Sequence, residues 1–530
     1  MHKNRIPMKP YPSRSVVSLA IILSGLSFSS LAQANTISPP QPVPVASTPG
    51  VVACNDLMKL AIPDTTIDNT EYLRGSFTPA SKNADVLRGG TTNTINGLPE
   101  FCRVSLTIKP SIKVEVWLPA TNWNHRFQAE GNGGYAGFIV YDAMGRALKQ
   151  GYATASTDTG HEGSQLNGKF VLNADNSLNH GAVNDFAWRA VHEMTVKSKA
   201  IIHAYYQKPI SFSYWNGCST GGRQGLMEAQ RFPHDYDGIY AGAPAINWDR
   251  FIVAELWPKL VMQKELGSSI SNEKLSKLNA AIVATYDQQD GVKDGVISDP
   301  FKISVDDAVF KSAGFSAQEM AVVRKIWAGP TTPEGRQLWY GLEPGAPFTL
   351  ATMAFPISTD YLGSWLQNNP EWDWKSLNYK EYTDLFSLSK QIFAPIIATD
   401  NLQLNTFKAS GGKLLIWHGL SDQLIFPKGT IEYYKNLIST MGGMESTQSF
   451  ARLYLAPGVE HCRGGEGPNS IQGMDALVKW VEKNKVPQEV MAQKIVKNKV
   501  IRTLPLCAWP KRTIYLGKGN INEAESYACK

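Results

Sequence analysis

The sequence predicts an α/β protein in which helices cover both faces of a mostly parallel sheet. Strand-like runs alternate with helix-like runs over residues 111–244 and again over 412–483, a pattern typical of parallel strands joined by helical crossovers. A strand, a glycine-rich turn and a helix follow one another at 210–232. The chain has 530 residues, more than one hydrophobic core usually serves, so a second folding unit is expected.

The first half of the chain supplies a regular series of elements. Each predicted strand is a short apolar run or an alternation of apolar and polar residues, and the long helix repeats apolar residues at roughly helical spacing. The predicted elements are strand 111–119, strand and glycine-rich turn 126–137, strand 151–160, helix 185–207, strand 210–217, helix 222–232 and strand 236–244.

The alternation stops after Pro244 and resumes beyond residue 400. Residues 245–400 hold Trp-rich helical pieces, an acidic loop and long Pro/Gly stretches without clear strands. We therefore predict one α/β domain in two parts, 35–244 and 401–530, with an inserted domain between them. In the second part we predict strand 412–422, helix 428–439, strand 450–461 and helix 474–483.

The first 34 residues have the composition of a signal peptide. Four basic residues precede the apolar run VVSLAIILSGLSF, which is too short to span a bilayer, and Ala32-Gln33-Ala34 has the small-x-small form of a cleavage site. An uncleaved anchor is the alternative. Cleavage removes four positive charges from a net charge of +6, so the mature chain is nearly neutral. We predict an exported protein that binds neither nucleic acid nor, once the leader is removed, a membrane.

The cysteine content agrees with export. Six cysteines remain after the leader, and none of their spacings is the C-x-x-C of a zinc site. An even number in an exported protein favours disulfides, and six cysteines allow fifteen pairings. The six are Cys54, Cys102, Cys218, Cys462, Cys507 and Cys529.

The stretch NGCSTGG, residues 216–222, contains the pattern G-x-S-x-G around Ser219. A serine hydroxyl needs a base, and the base needs an orienting carboxylate, before it attacks an ester carbonyl. In α/β-hydrolases this serine sits on a sharp strand-to-helix turn that requires glycines on either side. The backbone N–H of Thr220 is then positioned to bind the oxyanion.

Asp422 and His461 complete the order Ser, Asp, His that such enzymes have. Each follows a predicted strand at its carboxyl end, where α/β sheets present functional side chains. A helix-capping role for Asp422 and a surface position for His461 are the alternatives. Five further histidines are candidates for the base. Structural roles are favoured for His192, which lies within the predicted long helix, and for His234, which adjoins Pro233; the others are His125, His161 and His418.

A cysteine stands beside each proposed partner. If Ser219 and His461 meet at hydrogen-bond distance, then Cys218 and Cys462 come within the Cα separation that a disulfide spans. Such a bond joins segments more than 240 residues apart and limits the drift of base from nucleophile. Two unrelated buried thiols are the alternative.

These segments resemble the tannase/feruloyl esterase family of α/β-hydrolases. The resemblance extends over nearly the whole mature chain and rests on GCSTGGRQGLMEAQRFPHDYDGIYAGAPA (217–245), GYATASTDTGHEG, DFAWRAVHEMTVKSKA, WHGLSDQLIFP and the HC pair at 461–462. It implies the α/β-hydrolase fold with a large inserted lid. It also implies the triad Ser219, Asp422 and His461, with a second oxyanion donor from Gly133 or Gly134. The implied disulfides are Cys218–Cys462, Cys54–Cys102 and Cys507–Cys529.

The inserted segment contains the acidic loop DQQDGVKDGVISDP, residues 287–300. Calcium takes several oxygen ligands, and glycines let a loop fold around the ion; a solvated acidic turn is the alternative. The resemblance implies a structural calcium site in the lid, with ligands Asp287, Asp290 and Asp294 through their side chains and Val292 and Val296 through their carbonyls. The chain departs from the family in having Tyr286 where a cysteine is frequent, and no cysteine between 218 and 462.

We therefore predict a serine esterase that acts on small esters of aromatic acids such as ferulate. A tannase acting on galloyl esters, a protease, and a non-catalytic calcium-stabilised carbohydrate-binding module are the alternatives. The resemblance and the leader imply a bacterial protein that is periplasmic or secreted. The sequence carries no indication of the oligomeric state.

Overall fold

A nine-stranded sheet forms the centre of the computed structural model, which describes residues 52–79 and 94–530. The predicted leader, residues 1–34, lies outside this part of the chain. From one edge to the other the strands are β1 Thr65–Phe77, β2 Ile95–Ile108, β3 Ile112–Pro119, β5 Ala153–Thr157, β4 Arg126–Glu130, β6 Phe212–Cys218, β7 Gly238–Gly242, β8 Lys413–Gly419 and β9 Ala451–Ala456.

The sheet is parallel from β5 to β9 and antiparallel at its first edge. Strands β5, β4, β6, β7, β8 and β9 pair in parallel, whereas β1, β2, β3 and β5 pair antiparallel. The predicted α/β class is confirmed. No strand was predicted at 65–108. β1 is an edge strand with few buried positions and lacks the alternation that sequence analysis detects, whereas β2 does alternate buried Val104, Leu106 and Ile108 with less buried residues, a pattern that the prediction overlooked.

Helices flank the sheet and fill the long connection between β7 and β8. They are α1 Tyr141–Lys149, α2 His180–Asn184, α3 Ala190–Tyr206, α4 Thr220–Arg231, α5 Trp248–Ala254, α6 Trp257–Leu266, α7 Asn272–Tyr286, α8 Asp307–Ser312, α9 Ala317–Ala328, α10 Thr349–Thr352, α11 Pro356–Asp360, α12 Tyr379–Ile397, α13 Asn405–Ala409, α14 Pro427–Thr440, α15 Met444–Gln448 and α16 Gly473–Lys483.

The predicted long helix at 185–207 is interrupted at its start. Residues Asp185–Arg189 form a π-helical turn between α2 and α3. The carbonyls of Phe186 and Ala187 accept hydrogen bonds from the guanidinium of Arg223, at 3.0 and 2.7 Å. Arg223 is fully buried on α4, so this turn is tied to the helix that follows β6.

The connection between β7 and β8 packs onto the rest of the protein through aromatic side chains. Trp248 and Trp365 lie against Tyr135, which belongs to the turn after β4, with ring centroids 5.7 and 5.9 Å apart. The hydroxyl of Tyr135 donates to the carbonyl of Ile357 at 2.8 Å. One continuous apolar core therefore joins the inserted helices to the residues around β4.

Two small sheets form from the last part of the chain, with β10 before α16 and the other strands after it. Strands β10 Ser470–Ile471, β11 Glu489–Val496 and β12 Lys499–Cys507 form one, and β13 Thr513–Tyr515 with β14 Tyr527–Cys529 forms the other. Neither sheet was predicted. Within residues 52–79 and 94–530 there is no helix whose length and apolar character would let it cross a membrane.

Candidate active site

Ser219 lies on the sharp turn between β6 and α4. Its backbone has φ +65° and ψ −125°, a conformation that L-residues rarely adopt and that the surrounding structure must hold. The turn is possible because its neighbours lack side chains. A Cβ on Gly217 would lie 2.4 Å from the carbonyl oxygen of Gly221, and one on Gly222 would lie 2.6 Å from that of Gly242.

His461 bridges Ser219 and Asp422. Its Nε2 lies 2.9 Å from Oγ of Ser219, and its Nδ1 lies 2.8 Å from Oδ2 of Asp422. The backbone N–H of His461 donates to Oε1 of Gln423 at 3.0 Å. The three side chains therefore have the hydrogen-bond geometry that a serine nucleophile, its base and an orienting carboxylate require.

The Asp422 carboxylate is completely enclosed and fully hydrogen-bonded. Its Oδ1 accepts the backbone N–H groups of Leu424 and Ile425, both at 2.9 Å. Burial alone would raise the pKa of Asp422, but the charge of His461 and the hydrogen bonds from His418 and His461 outweigh burial and hold that pKa below its usual range. Asp422 therefore stays ionised, as an orienting carboxylate must.

All three expected disulfides are present in the structure. Cys218 and Cys462 are bonded with a Cα separation of 5.9 Å, across 244 residues of sequence. This bond joins the residue before Ser219 to the residue after His461. The other two disulfides join Cys54 to Cys102 and Cys507 to Cys529.

The residues expected to bind an oxyanion lie against the nucleophile turn. Thr220 is the first residue of α4, and N–H groups of a first helical turn have no partner within the helix. Its hydroxyl donates to the carbonyl of Gly134 at 2.6 Å, and the N–H of Gly221 donates to the carbonyl of Asn132 at 2.8 Å. The Gly133 carbonyl instead accepts the N–H of Ala136. The structure therefore brings Thr220 directly onto Gly134.

The acidic loop is organised around Asp287. Its Oδ1 accepts the N–H groups of Asp294 and Val296, and its Oδ2 accepts that of Gly295, at 3.0–3.2 Å. Gly291 and Gly295 have φ of +89° and +79°, so two turns of this loop use the freedom of glycine.

The other two aspartates of the loop also have partners. Asp290 accepts the N–H of Val292 at 2.9 Å, and Asp294 forms a buried ion pair with Arg502 of β12. Carboxylates and backbone carbonyls on a glycine-containing loop are the kind of donors that calcium takes, although the carboxylate oxygens of Asp287, Asp290 and Asp294 do not all lie within 4.8 Å of one another. By the chemistry of its donors the loop therefore fits such an ion.

The acidic loop packs against the segment that leads to His461. A Cβ on Gly458 would lie 2.7 Å from the side chain of Val296. A cavity of about 760 Å³ lies beside the loop, and its lining includes Leu420 and Pro457 but none of the three triad side chains. The acidic loop, distant from the triad in sequence, is thus a neighbour of the histidine loop in space.

Sequence analysis missed His418 as a neighbour of the triad. Its Nε2 lies 3.1 Å from Oδ2 of Asp422. The only available signal was its position four residues before Asp422 in WHGLSDQ, and a histidine within a strand is ordinarily a core residue. Sequence analysis also missed Glu255 as a residue that interacts electrostatically with Asp422. Burial and then the charge of Asp422 raise the pKa of Glu255 well above its usual value.

Other histidines considered as the base have different partners. Nδ1 of His192 lies 2.7 Å from Oδ2 of Asp235. In the described parts of the chain, His192, Asp235 and Glu228 form the one group of three whose possible metal-ligand atoms all lie within 4.8 Å of one another. Lys199 donates a hydrogen bond to the carbonyl of Asp235, and its positive charge interacts with the carboxylate of Glu228. The chain itself therefore places a cation next to these acids. A structural role for His192 fits these contacts.

Asp158 stands at the end of β5 beside the glycine-rich turn, where Gly137 donates its N–H to the Asp158 carbonyl. Its Oδ1 accepts the N–H groups of Lys113 and Gly160 at 2.9 and 2.7 Å, while Oδ2 is buried without a partner. Burial raises the pKa of Asp158 to about 7, against the effect of those two hydrogen bonds.

Asp158→Asn is expected to flatten the pH dependence of stability between pH 4 and pH 7. The folded protein binds the Asp158 proton more tightly than the unfolded chain does. The protonated carboxyl therefore contributes fully to the free energy of unfolding below pH 4, and this contribution is lost as the pH rises through 7. The loss amounts to about 3 kcal/mol. Denaturant unfolding at several pH values measures it, with the exposed Asp64→Asn as control. Equal slopes for wild type and Asp158→Asn would contradict the prediction.

Comparison with known proteins identifies relatives along most of the chain. The model of the family described as "Tannase and feruloyl esterase" matches residues 96–369 and 349–530. A probable feruloyl esterase of Arthroderma benhamiae is 36% identical over 468 residues, which cover 81% of this chain and 86% of the relative. An uncharacterized esterase of Xanthomonas campestris is 29% identical over 540 residues, covering 90% and 91%.

A solved structure has the same architecture. Feruloyl esterase B from Aspergillus oryzae aligns with a TM-score of 0.81 at 27% identity, covering 89% of this chain and 98% of its own.

Proposed function

Because the chain belongs to the tannase and feruloyl esterase family, and is therefore a carboxylic ester hydrolase, we propose that it hydrolyses esters of aromatic acids through an acyl-enzyme on Ser219. The hydrogen bonds that His461 makes to Ser219 and Asp422, at 2.9 and 2.8 Å, are the observation that carries this proposal. A non-catalytic carbohydrate-binding role is set aside with the family assignment.

In the first step Oγ of Ser219 attacks the ester carbonyl carbon while Nε2 of His461 takes the hydroxyl proton. The tetrahedral intermediate collapses when its bond to the alcohol oxygen breaks, and His461 returns the proton to that alcohol. Water then attacks the acyl-enzyme with His461 again as base, and the free acid leaves. Throughout, Asp422 orients the imidazole and stabilises its charged form.

The negative oxygen of each intermediate needs donors that are already in position. We assign this role to the N–H of Thr220 and to an N–H of Gly133 or Gly134. The bond of the Thr220 hydroxyl to the Gly134 carbonyl, 2.6 Å, supports the assignment because it holds the two backbone segments together. Donors fixed before the reaction stabilise the developing charge without reorganisation.

The acid portion of the substrate is proposed to be a hydroxycinnamoyl group such as ferulate. The relative that is 36% identical is named as a probable feruloyl esterase. The inserted residues 245–400 are proposed to form a lid over this group. Trp248 and Trp365 of the insertion pack on Tyr135 of the glycine-rich turn, which supports a position of the insertion next to the proposed site.

Hydrolysis rates on four esters test the substrate class. Methyl ferulate and chlorogenate are expected to exceed methyl gallate and a terephthalate half-ester in kcat/KM by at least about tenfold, which corresponds to about 1.4 kcal/mol of transition-state binding. Initial rates across a range of substrate concentrations give the ratio. A preference for methyl gallate would contradict the hydroxycinnamoyl assignment while leaving the esterase assignment intact.

The acidic loop is proposed to hold a structural calcium ion. The carboxylates of Asp287, Asp290 and Asp294 and the carbonyls of Val292 and Val296 would bind it. When bound, the ion supplies positive charge that holds these oxygens together. The contact of Val296 with Gly458 supports a structural role for the ion, because a loop held in place by calcium would also hold the segment before His461.

Chelation is expected to lower the melting temperature by about 2–4 °C relative to calcium at a hundred times its Kd. The physical reason is that calcium binds the folded protein and not the unfolded chain, and so stabilises the folded state. Scanning calorimetry with EDTA and with added calcium measures the difference. Asp287→Asn is expected to abolish it, while Asp306→Asn, at an exposed position just beyond the loop, retains it. A wild-type melting temperature that is the same with EDTA and with added calcium would contradict the proposal.

Export to the periplasm or the medium of a bacterium is also part of the proposal. Three disulfides support it, because such bonds persist in oxidising compartments. Residues 1–34, whose composition is that of a signal peptide, are proposed to direct this export.

A further inference from the structure

His418 is buried at the end of β8, and its two ring nitrogens both have partners. Nδ1 lies 2.8 Å from Oγ1 of Thr430, which is on α14. Nε2 lies 2.8 Å from the carbonyl oxygen of Ile425 and 3.1 Å from Oδ2 of Asp422. The ring is 0% exposed, so no water competes for these contacts from outside.

The partners of His418 determine where its hydrogen lies. A backbone carbonyl only accepts hydrogen bonds, so Nε2 must carry a hydrogen to bond with Ile425. The ionised Asp422 carboxylate also only accepts, so the same Nε2–H is shared between the Ile425 carbonyl at 2.8 Å and Oδ2 of Asp422 at 3.1 Å. A Thr hydroxyl both donates and accepts, so Thr430 holds Nδ1 and fixes the ring plane. His418 is therefore a fixed donor to Asp422.

This donor completes the environment of the Asp422 carboxylate. Oδ1 is held by the N–H groups of Leu424 and Ile425, and Oδ2 receives hydrogen bonds from His418 and His461. Of these four donors, His461 is the one that exchanges its proton with Ser219 in the proposed reaction. The other three keep the carboxylate still while His461 changes charge.

We propose that His418, held by Thr430, is a positioning residue that fixes Oδ2 of Asp422 for its hydrogen bond to His461. The inference rests on the proposed function of the Ser219, Asp422 and His461 group. Other charged groups act on Asp422 as well: His461 lies on its Oδ2, and the acids Glu255 and Glu460 interact with it electrostatically. Among the residues that the structure describes, the side chains that bond directly to Oδ2 are those of His418 and His461.

Without His418, the charge on Oδ2 is compensated by His461 alone. The imidazolium form of His461 is then favoured, and Asp422 itself takes up a proton more readily, since hydrogen bonds to a carboxylate favour its ionised form. Both changes move the acidic limb of the kcat/KM profile to higher pH. A residue that only fills space would not move this limb.

The experiment compares His418→Leu with His418→Gln, whose amide N–H replaces the Nε2 donor. His418→Leu is expected to lower kcat by about 10–100-fold with KM within about twofold, and to raise the acidic limb by about half a unit to one unit. His418→Gln is expected to recover most of kcat and the wild-type limb. His192→Gln, at a half-buried histidine outside the triad, is the control and leaves the profile unchanged.

Thr430 provides a second pair of variants if His418→Leu does not fold. Thr430→Val removes the hydroxyl at constant shape and is expected to shift the acidic limb in the same direction by a smaller amount, while Thr430→Ser retains the wild-type limb. The inference is overturned if folded His418→Leu or Thr430→Val has the wild-type limb, or if His418→Gln is no better than His418→Leu. Full activity in Ser219→Ala would instead overturn the proposed function itself.

Discussion

Ser219→Ala is expected to lower kcat by about 10⁴–10⁶-fold on any ester the enzyme hydrolyses. The substitution removes the atom that is proposed to form the acyl-enzyme, and removal of a triad nucleophile leaves only the acceleration that oxyanion donors and substrate binding provide. KM is expected to change little, because the hydroxyl contributes little to ground-state binding. Hydrolysis of a chromogenic aryl ester, followed over hours, measures the residual activity.

The matched control for this substitution is Ser213→Ala on the same strand. Ser213 is buried in β6, six residues before the nucleophile, so it tests the effect of losing a buried serine hydroxyl without touching the turn. It is expected to retain wild-type kcat. A Ser219→Ala protein with full activity would show that the hydrolysis takes place elsewhere, whatever the geometry around His461.

Replacing both Cys218 and Cys462 by Ala is expected to lower the free energy of unfolding by about 3–5 kcal/mol. The bond closes a loop of 244 residues, and in the chain-entropy model long loops gain most from closure. It is also expected to lower kcat by about tenfold or more at a temperature where the variant remains folded. Small displacements of a base from its nucleophile cost that much rate.

Cys507 and Cys529 offer the comparison for this double substitution. Their disulfide spans 22 residues, so its removal is expected to cost about 3 kcal/mol of stability. Because neither residue adjoins the triad, kcat of the folded variant is expected to equal that of wild type. Denaturant unfolding and kcat are measured on both double variants. Equal loss of kcat in the two would show that the Cys218–Cys462 bond has no particular effect on the triad.

The nucleophile turn and its disulfide were predictable from sequence because local chemistry constrained them. A Cβ on Gly217 would collide with backbone at 2.4 Å, and one on Gly221 would lie only 3.0 Å from the Asn132 carbonyl oxygen. A cysteine beside each of two distant residues predicts that the two residues lie close together if the cysteines are bonded. The parallel strands were predictable for a similar reason, since strands buried on both faces are continuous apolar runs.

What could not be predicted depends on contacts between segments without a local signature. His418 of β8 contacts Thr430, which lies twelve residues later on α14, and it contacts Asp422 in the loop between β8 and α14. Neither contact has a local sequence pattern that would indicate it. The edge strand β1 exposes most of its side chains to solvent and so lacks a pattern. The contact of Val296 with Gly458 likewise joins an insertion to a loop 162 residues further along the chain.

The Cys218–Cys462 disulfide also has a topological consequence. It closes a covalent ring that contains the whole of residues 245–400, with the nucleophile turn and the histidine loop at the point of closure. A single proteolytic cut within the inserted helices therefore opens the ring without separating Ser219 from His461. Both fragments remain one molecule under non-reducing conditions, so the enzyme can be nicked in its largest insertion and still keep Ser219 and His461 covalently joined.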